Sequence, residues 1–311
     1  MNTTSRRKFL QTTAATLLAA PVVHAIAPLG RTGKARLQLS LAAYSFREFF
    51  GADVQRPAGK KAAAPAGPEM DMFKFVDYCA EHGCDGAELT GYYFPRELSA
   101  DYLVQMRRHA FLKGVAVSGT AIGNNFSHPK GPKRDEEIAQ TKQWIDRAAV
   151  LGAPHIRVFA GVTKEISREE ADKLVVSALE ECSDYAGQKG VFLGIENHDS
   201  IGSAEHLLKL IKQVNSRWLG VNLDSGNFRT ADPYADFAEI APYAVNVQLK
   251  TEINPVGAAT KGPQPADLPR LVKILREAHY QGFVALEFEG KEDPFKAVPP
   301  VLKRMKELFA A

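Results

Sequence analysis

Residues 191–198 read Val191-Phe192-Leu193-Gly194-Ile195-Glu196-Asn197-His198, and residues 219–227 read Leu219-Gly220-Val221-Asn222-Leu223-Asp224-Ser225-Gly226-Asn227. Each is a short apolar run that stops at a carboxylate. Between the two runs lies a stretch of helical period, and this alternation is the mark of βα units around a parallel sheet. Working outward, the same unit recurs in both directions. The spacing predicts eight strands, at 37–44, 86–89, 115–121, 156–160, 191–196, 219–224, 244–250 and 283–289. Helical stretches follow them, clearest at 134–151, 168–189, 267–279 and 294–308. Eight repeats fit an α/β fold of the (β/α)8 TIM-barrel type, which typically needs about 250 residues, in a single domain. A doubly wound open sheet would show fewer strands and a Gly-rich phosphate loop after the first.

The ends of the later runs carry the functional signal. Residues 245–250 read Val245-Asn246-Val247-Gln248-Leu249-Lys250, and residues 284–289 read Val284-Ala285-Leu286-Glu287-Phe288-Glu289. Four successive strands therefore deliver Glu196, Asp224, Gln248 and Glu287 to one rim of a barrel, the rim on which barrel enzymes build their sites. Carboxylates that converge in a poorly solvated cleft repel one another by several kcal/mol. A cation that neutralises them is required, and a divalent metal is the simplest one. Arg157 and Lys250 are candidates for holding substrate oxygens, with Arg157 equally able to pair with a neighbouring acid. His198 is a candidate assistant or a supporting loop residue. Trp144 and Trp218 read as packing, and His128 as a loop residue.

The order of strand-end Glu, Asp with a following Gly, a residue ahead of Lys, and Glu resembles the xylose-isomerase-like sugar isomerase and epimerase superfamily. Tyr44-Ser45-Phe46-Arg47 and Gly119-Thr120-Ala121-Ile122-Gly123-Asn124-Asn125 carry the resemblance to the earlier strands, so it covers most of the chain. It implies that Glu196, Asp224 and Glu287 are metal ligands, with Glu289 a rival to Glu287. It also implies that Glu196 and Glu287 are the acid–base pair, assisted by Lys250 or His198, with Arg47, Asn124, Arg157 and Asn227 around the substrate. The sequence departs from the pattern at Gln248, where the superfamily usually has a histidine ligand. Either the amide oxygen of Gln248 joins an all-oxygen shell, which favours Mn²⁺ or Mg²⁺ over Zn²⁺, or water fills the gap. One divalent ion is expected, with Co²⁺, Fe²⁺ and Zn²⁺ the other candidates.

The function implied is a metal-dependent sugar isomerase or epimerase that abstracts a proton next to a carbonyl. Lyase or hydratase action on 3-keto-glycosides starts with the same step, and a non-catalytic sugar-binding protein is the alternative outside enzymology. The superfamily's endonucleases resemble a several-zinc, histidine-rich site, which this chain lacks.

The first residues of the chain bear on where it works. Ser5-Arg6-Arg7-Lys8-Phe9-Leu10 precedes an apolar stretch, Ala14 to Ala20, and then Val23-His24-Ala25. This layout resembles a twin-arginine signal peptide over 1–25; a frayed basic terminus or an uncleaved anchor is the alternative. The apolar stretch falls short of the ~20 residues of a bilayer span, so stable membrane insertion is not expected. Export to the periplasm by the twin-arginine machinery, with metal loaded beforehand in the cytoplasm, is the expectation. A phosphorylated substrate is then disfavoured.

Domain limits follow: 26–36 as a linker and 37–311 as the barrel. The Ala/Gly/Pro-rich segment 51–68 is either a featureless insertion or a mobile flap over the site. The chain carries 39 Lys and Arg against 36 Asp and Glu, and without Arg6, Arg7 and Lys8 the two balance. That neutrality argues against a nucleic-acid partner. Cys79, Cys84 and Cys182 do not make a disulfide framework. A homo-oligomer is compatible with the family, but no surface stripe marks an interface.

Overall fold

The computed structural model describes residues 26–56, 67–257 and 262–311. The expected leader 1–25 and the middle of the 51–68 loop lie outside the described residues. Eight parallel strands close into a barrel: β1 (Arg36–Ala42), β2 (Gly86–Thr90), β3 (Ala116–Ala121), β4 (His155–Val158), β5 (Phe192–Glu196), β6 (Leu219–Asp224), β7 (Ala244–Leu249) and, after a short ribbon, β10 (Gln281–Leu286). The ribbon pairs β8 (Glu252–Ile253) with β9 (Gln264–Pro265) in the connection after β7. The barrel closes where β1 pairs with both β2 and β10. The fold is a single-domain (β/α)8 TIM barrel, and each of the eight expected runs overlaps one strand.

Helices α1 (Met72–Glu81), α2 (Ala100–Leu112), α3 (Pro132–Leu151), α4 (Arg168–Gln188), α5 (Ala204–Ile211), α6 (Pro233–Ile240), α7 (Leu268–Glu277) and α8 (Pro294–Ala310) form the outer ring. Local chemistry sets their ends. Ser167 and Glu170 make a reciprocal capping box at the start of α4, which satisfies amide groups the first turn leaves free. Gly152 ends α3 with φ +76°, a left-handed conformation glycine adopts without strain. Among the described residues no helix is long and apolar enough to cross a membrane.

Residues 26–36, expected as a linker, lie against the N-terminal end of the barrel. Ile26 is buried, the Leu29 amide donates to Pro242 O, and the Arg31 guanidinium donates to Ala244 O while lying over the Tyr280 ring. At the opposite end, the flank of the 51–68 segment is tied to the β2–α2 connection: Gln55 N donates to Phe94 O, and Val54 bridges to Pro95.

Two irregularities matter for the site. The β2–β3 register shifts between Ala87 and Glu88, and the β6–β7 register shifts between Val221 and Asn222. Such shifts re-aim side chains beside active sites. Gly119, opposite Glu88, has no side chain because a Cβ there would meet the His155 ring at 1.9 Å.

Candidate active site

Glu196 and Asp224 are the last residues of β5 and β6, while Glu287 follows β10 directly and Gln248 lies within β7. Parallel ladder bonds continue past the strand ends, from Ser225 N to Gln248 O and from Glu287 N to Leu249 O. They hold the rim rigid. Glu196 is 3% exposed, Asp224 and Gln248 are fully buried, and Glu287 is 5% exposed. The structure thus brings together all four residues expected at the rim.

Two of them, Asp224 and Glu287, together with Glu289 gather around the ammonium of Lys250. Its Nζ lies 3.3 Å from Asp224 Oδ2, 3.1 Å from Glu287 Oε2 and 2.5 Å from Glu289 Oε2. Burial opposes the charge on Lys250, but Asp224, Glu287, Glu289 and Glu196 outweigh it and hold the pKa well above the ordinary lysine value. Asp224 Oδ1 accepts from Gly226 N, whereas Oδ2 has no hydrogen-bond donor. Burial pushes the Asp224 carboxyl well up, against the pull of Lys250.

Glu196 has its own cation. Arg157 Nε lies 2.9 Å from Glu196 Oε2, and Asn227 Nδ2 donates to Oε1 at 2.8 Å. Arg157 is 3% exposed and also donates to Ile122 O, with its guanidinium 4.0 Å from the Phe159 ring centre. Burial works against its charge, but Tyr92, Glu196 and Glu287 raise its pKa overall. On Glu196, burial pushes the carboxyl up and Arg157 pulls it down, with burial the larger effect. Arg157 and Asn227 are therefore partners of a carboxylate first.

Beneath the rim lies a second polar layer that sequence reasoning missed. Glu88, fully buried on β2, accepts from Gln248 Nε2 at 2.6 Å on Oε1 and from Asn246 Nδ2 at 2.7 Å on Oε2. Asn222 Nδ2 donates to Gln248 Oε1 at 2.6 Å, and Gln248 Nε2 reaches Glu287 Oε1 at 3.2 Å. These partners fix the amide orientation. Turned over, the Gln248 oxygen would face two carboxylates and its NH₂ would face the Asn222 NH₂. Of the two expectations for Gln248, an oxygen in a metal shell or no part in one, this arrangement matches the second: the residue presents N–H groups to Glu88 and Glu287 and its oxygen to Asn222.

Burial, with Glu287 second, pushes Glu88 up to about 7, against Arg157, Asn246 and Gln248. An unfolded glutamate titrates near 4.3, so between those values the native state keeps a proton that the unfolded state has lost. Stability then falls as pH rises through that window, by about 3–4 kcal/mol over the whole of it. Glu88→Gln is expected to remove this slope. Urea unfolding of both proteins near about pH 4.5 and about pH 8 measures it; parallel losses would show that Glu88 is ionised throughout.

The other expected residues are dispersed. His198 is half-buried on the loop after β5, its ring 4.4 Å from Phe159 and its Nδ1 3.0 Å from Asp199 Oδ1. Arg47 donates to the Phe288 and Glu289 carbonyls, which places it at the mouth beside Glu289. Asn124 spends both ends of its amide on the backbone of Phe159, so it clamps the β3 and β4 loops together. Tyr44, unassigned by sequence, is close enough to Glu289 and Glu287 for both to add to the upward push of burial on its hydroxyl. Trp144 is buried against Phe94, and the cysteines are free and buried. A cavity of about 530 Å³ opens between Arg47, Phe49, Phe288 and Glu289, and one of about 380 Å³ beside Tyr92 and Asn124. Either could admit a sugar.

The residues as arranged do not fit the metal expected of them. Among the described residues no group of three or more His, Cys, Asp or Glu side chains is placed to hold a metal ion. Gln248 offers N–H rather than oxygen, Glu196 is taken by Arg157 and Asn227, and Lys250 stands between Asp224 and Glu287.

Comparison with known proteins adds the following. The family model described as a xylose isomerase-like TIM barrel matches residues 76–308. The inosose isomerase of Bacillus subtilis (strain 168) is 24% identical over 233 residues, covering 68% of this chain and 82% of that protein. Of solved structures, the apo form of the E. coli 3-keto-D-glucoside 4-epimerase superposes with a TM-score of 0.65 at 17% identity, covering 88% of this chain and 100% of the other. The IOLI protein with a bound zinc atom gives a TM-score of 0.65 at 18% identity, covering 87% and 96%.

Proposed function

Because the chain belongs to the xylose isomerase-like TIM-barrel family, we propose that it is an isomerase or epimerase of a non-phosphorylated sugar or keto-sugar, acting by proton abstraction next to a carbonyl. The observation that carries this reading is the pair of buried glutamates, Glu196 and Glu287, which stand on the same rim at the ends of β5 and β10, close enough to act on each other electrostatically, with different partners. Acid–base exchange needs two such groups whose surroundings differ, so that one takes the proton and the other returns it. Lys250 and Arg157 supply N–H groups where negative charge develops on the substrate oxygens. Arg47 lines the cavity beside Glu289, with its guanidinium over the Tyr44 ring. The names of two relatives, an inosose isomerase and a 3-keto-D-glucoside 4-epimerase, support a carbonyl-bearing substrate. The export leader read in residues 1–25 supports a periplasmic enzyme and hence a substrate without phosphate.

The test is solvent exchange. The purified protein is incubated in D₂O with free ketoses, inososes and 3-keto-glycosides, and the carbon next to the carbonyl is followed by NMR. Deuterium incorporation together with a new isomer is expected for at least one of them. Binding without exchange across the panel would move the chain to the sugar-binding reading.

A further inference from the structure

We infer that Lys250 is a built-in replacement for the divalent cation, so that the site works with an ammonium where a metal would sit. The inference deepens the proposed function, since it names what neutralises the rim of that same site. Converging carboxylates demand a cation, but that demand does not specify a metal. Here one lysine ammonium has three carboxylates within 3.3 Å, Glu289 as its hydrogen-bond acceptor and Asp224 and Glu287 as ion-pair partners.

The lysine's place is built. Its backbone N–H donates to Ser225 Oγ at 2.9 Å, which fixes the strand end from which the side chain starts. Its stem then runs over Gly226, where an added Cβ would meet Lys250 Cδ at 2.7 Å and Cβ at 3.1 Å. Residue 226 is thereby restricted to glycine, and the slot admits an unbranched chain. The side chain is 10% exposed, so the ammonium is held in the site and not in solvent. Gln248 agrees with this arrangement. With its amide turned by Glu88 and Asn222, it gives Glu287 a donor on one oxygen while Lys250 serves the other. A divalent ion would have to expel Lys250, and could take Gln248 as a ligand only by reversing its amide against Glu88.

Isothermal titration with MnCl₂ tests the inference on the whole chain. Wild type is expected to take up no Mn²⁺ up to about 1 mM, a very weak interaction. Lys250→Met strips the charge and leaves Asp224, Glu287 and Glu289 facing one another. It is expected to bind Mn²⁺ about a hundredfold more tightly than wild type, through the attraction the ammonium had been screening. Lys250→Met/Glu287→Gln is expected to lose that gain. Should the methionine variant fail to fold, Lys250→Gln replaces it.

Tight uptake by wild type, or no gain on losing the lysine, would overturn the inference. The two readings separate cleanly. A wild type that binds no Mn²⁺ and exchanges no substrate proton sinks the enzymatic reading alone. One that exchanges protons only after Mn²⁺ is supplied sinks this one alone.

Discussion

Glu287→Gln is expected to lower kcat about a thousandfold, in the middle of the range for a general acid or base, while costing about 1–3 kcal/mol of stability. The change is isosteric. The glutamine oxygen still accepts from Gln248, as Glu287 Oε1 does now, and Lys250 keeps Asp224 and Glu289, so no buried charge is stranded. The new NH₂, however, takes the place of Oε2 and faces the Lys250 ammonium, donor against donor. Glu196 offers no such clean test, because removing its charge leaves Arg157 buried beside a neutral group. A residue that acts only in the transition state lowers kcat and kcat/KM together; steady-state kinetics on the exchanging sugar, with urea unfolding alongside, measures both halves. If Glu287→Gln keeps more than about a tenth of the activity, Glu289 takes over the role, and Glu289→Gln should then be the inactive variant. The geometry favours Glu287, which is buried, whereas the Glu289 side chain is 40% exposed and held by Lys250.

Most of the frame of this site is legible in the sequence. A carboxylate that ends an apolar run on successive strands can only lie at one rim, and Glu196, Asp224 and Glu287 do. Alternation also places Asn246, Gln248 and Lys250 on one face of a single strand. Glu88 is the clear omission. It lies in a five-residue strand whose every residue is buried, and a glutamate inside so short a run was itself a signal that the interior is polar there. The amides at 222, 246 and 248 were the matching donors and acceptors. The inward turn of the two cationic side chains was not legible for a different reason. Repulsion among carboxylates says that positive charge is needed and nothing about its source. Lysine and arginine have long stems whose rotamers decide whether they reach outward to a ligand or inward to an acid. Arg157 and Lys250 both turn inward.

Arg157→Met is expected to destabilise the fold by about 3–5 kcal/mol near neutral pH, because it strands Glu196 as an uncompensated buried charge. Thermal unfolding should fall by roughly 10 °C. The deficit should depend on pH in a definite direction. Burial already pushes Glu196 up in the presence of Arg157, and without the arginine the folded value rises further above the unfolded one. The native variant then holds a proton that the unfolded chain releases, so its stability falls as pH rises and the gap from wild type is widest in alkali. The double variant Arg157→Met/Glu196→Leu separates charge from packing. Apolar replacement of a buried ion pair is often neutral, and Phe159 and Tyr92 offer the methionine rings to pack on. Recovery to within about 1–2 kcal/mol of wild type is therefore expected, with no solvent exchange into any sugar. A double variant as unstable as the single one would mean that Arg157 holds the β3 and β4 loops through Ile122 O and Phe159, and that its charge is incidental. A stable but inactive one would mean that the barrel tolerates losing the pair and that Arg157 and Glu196 are kept for chemistry.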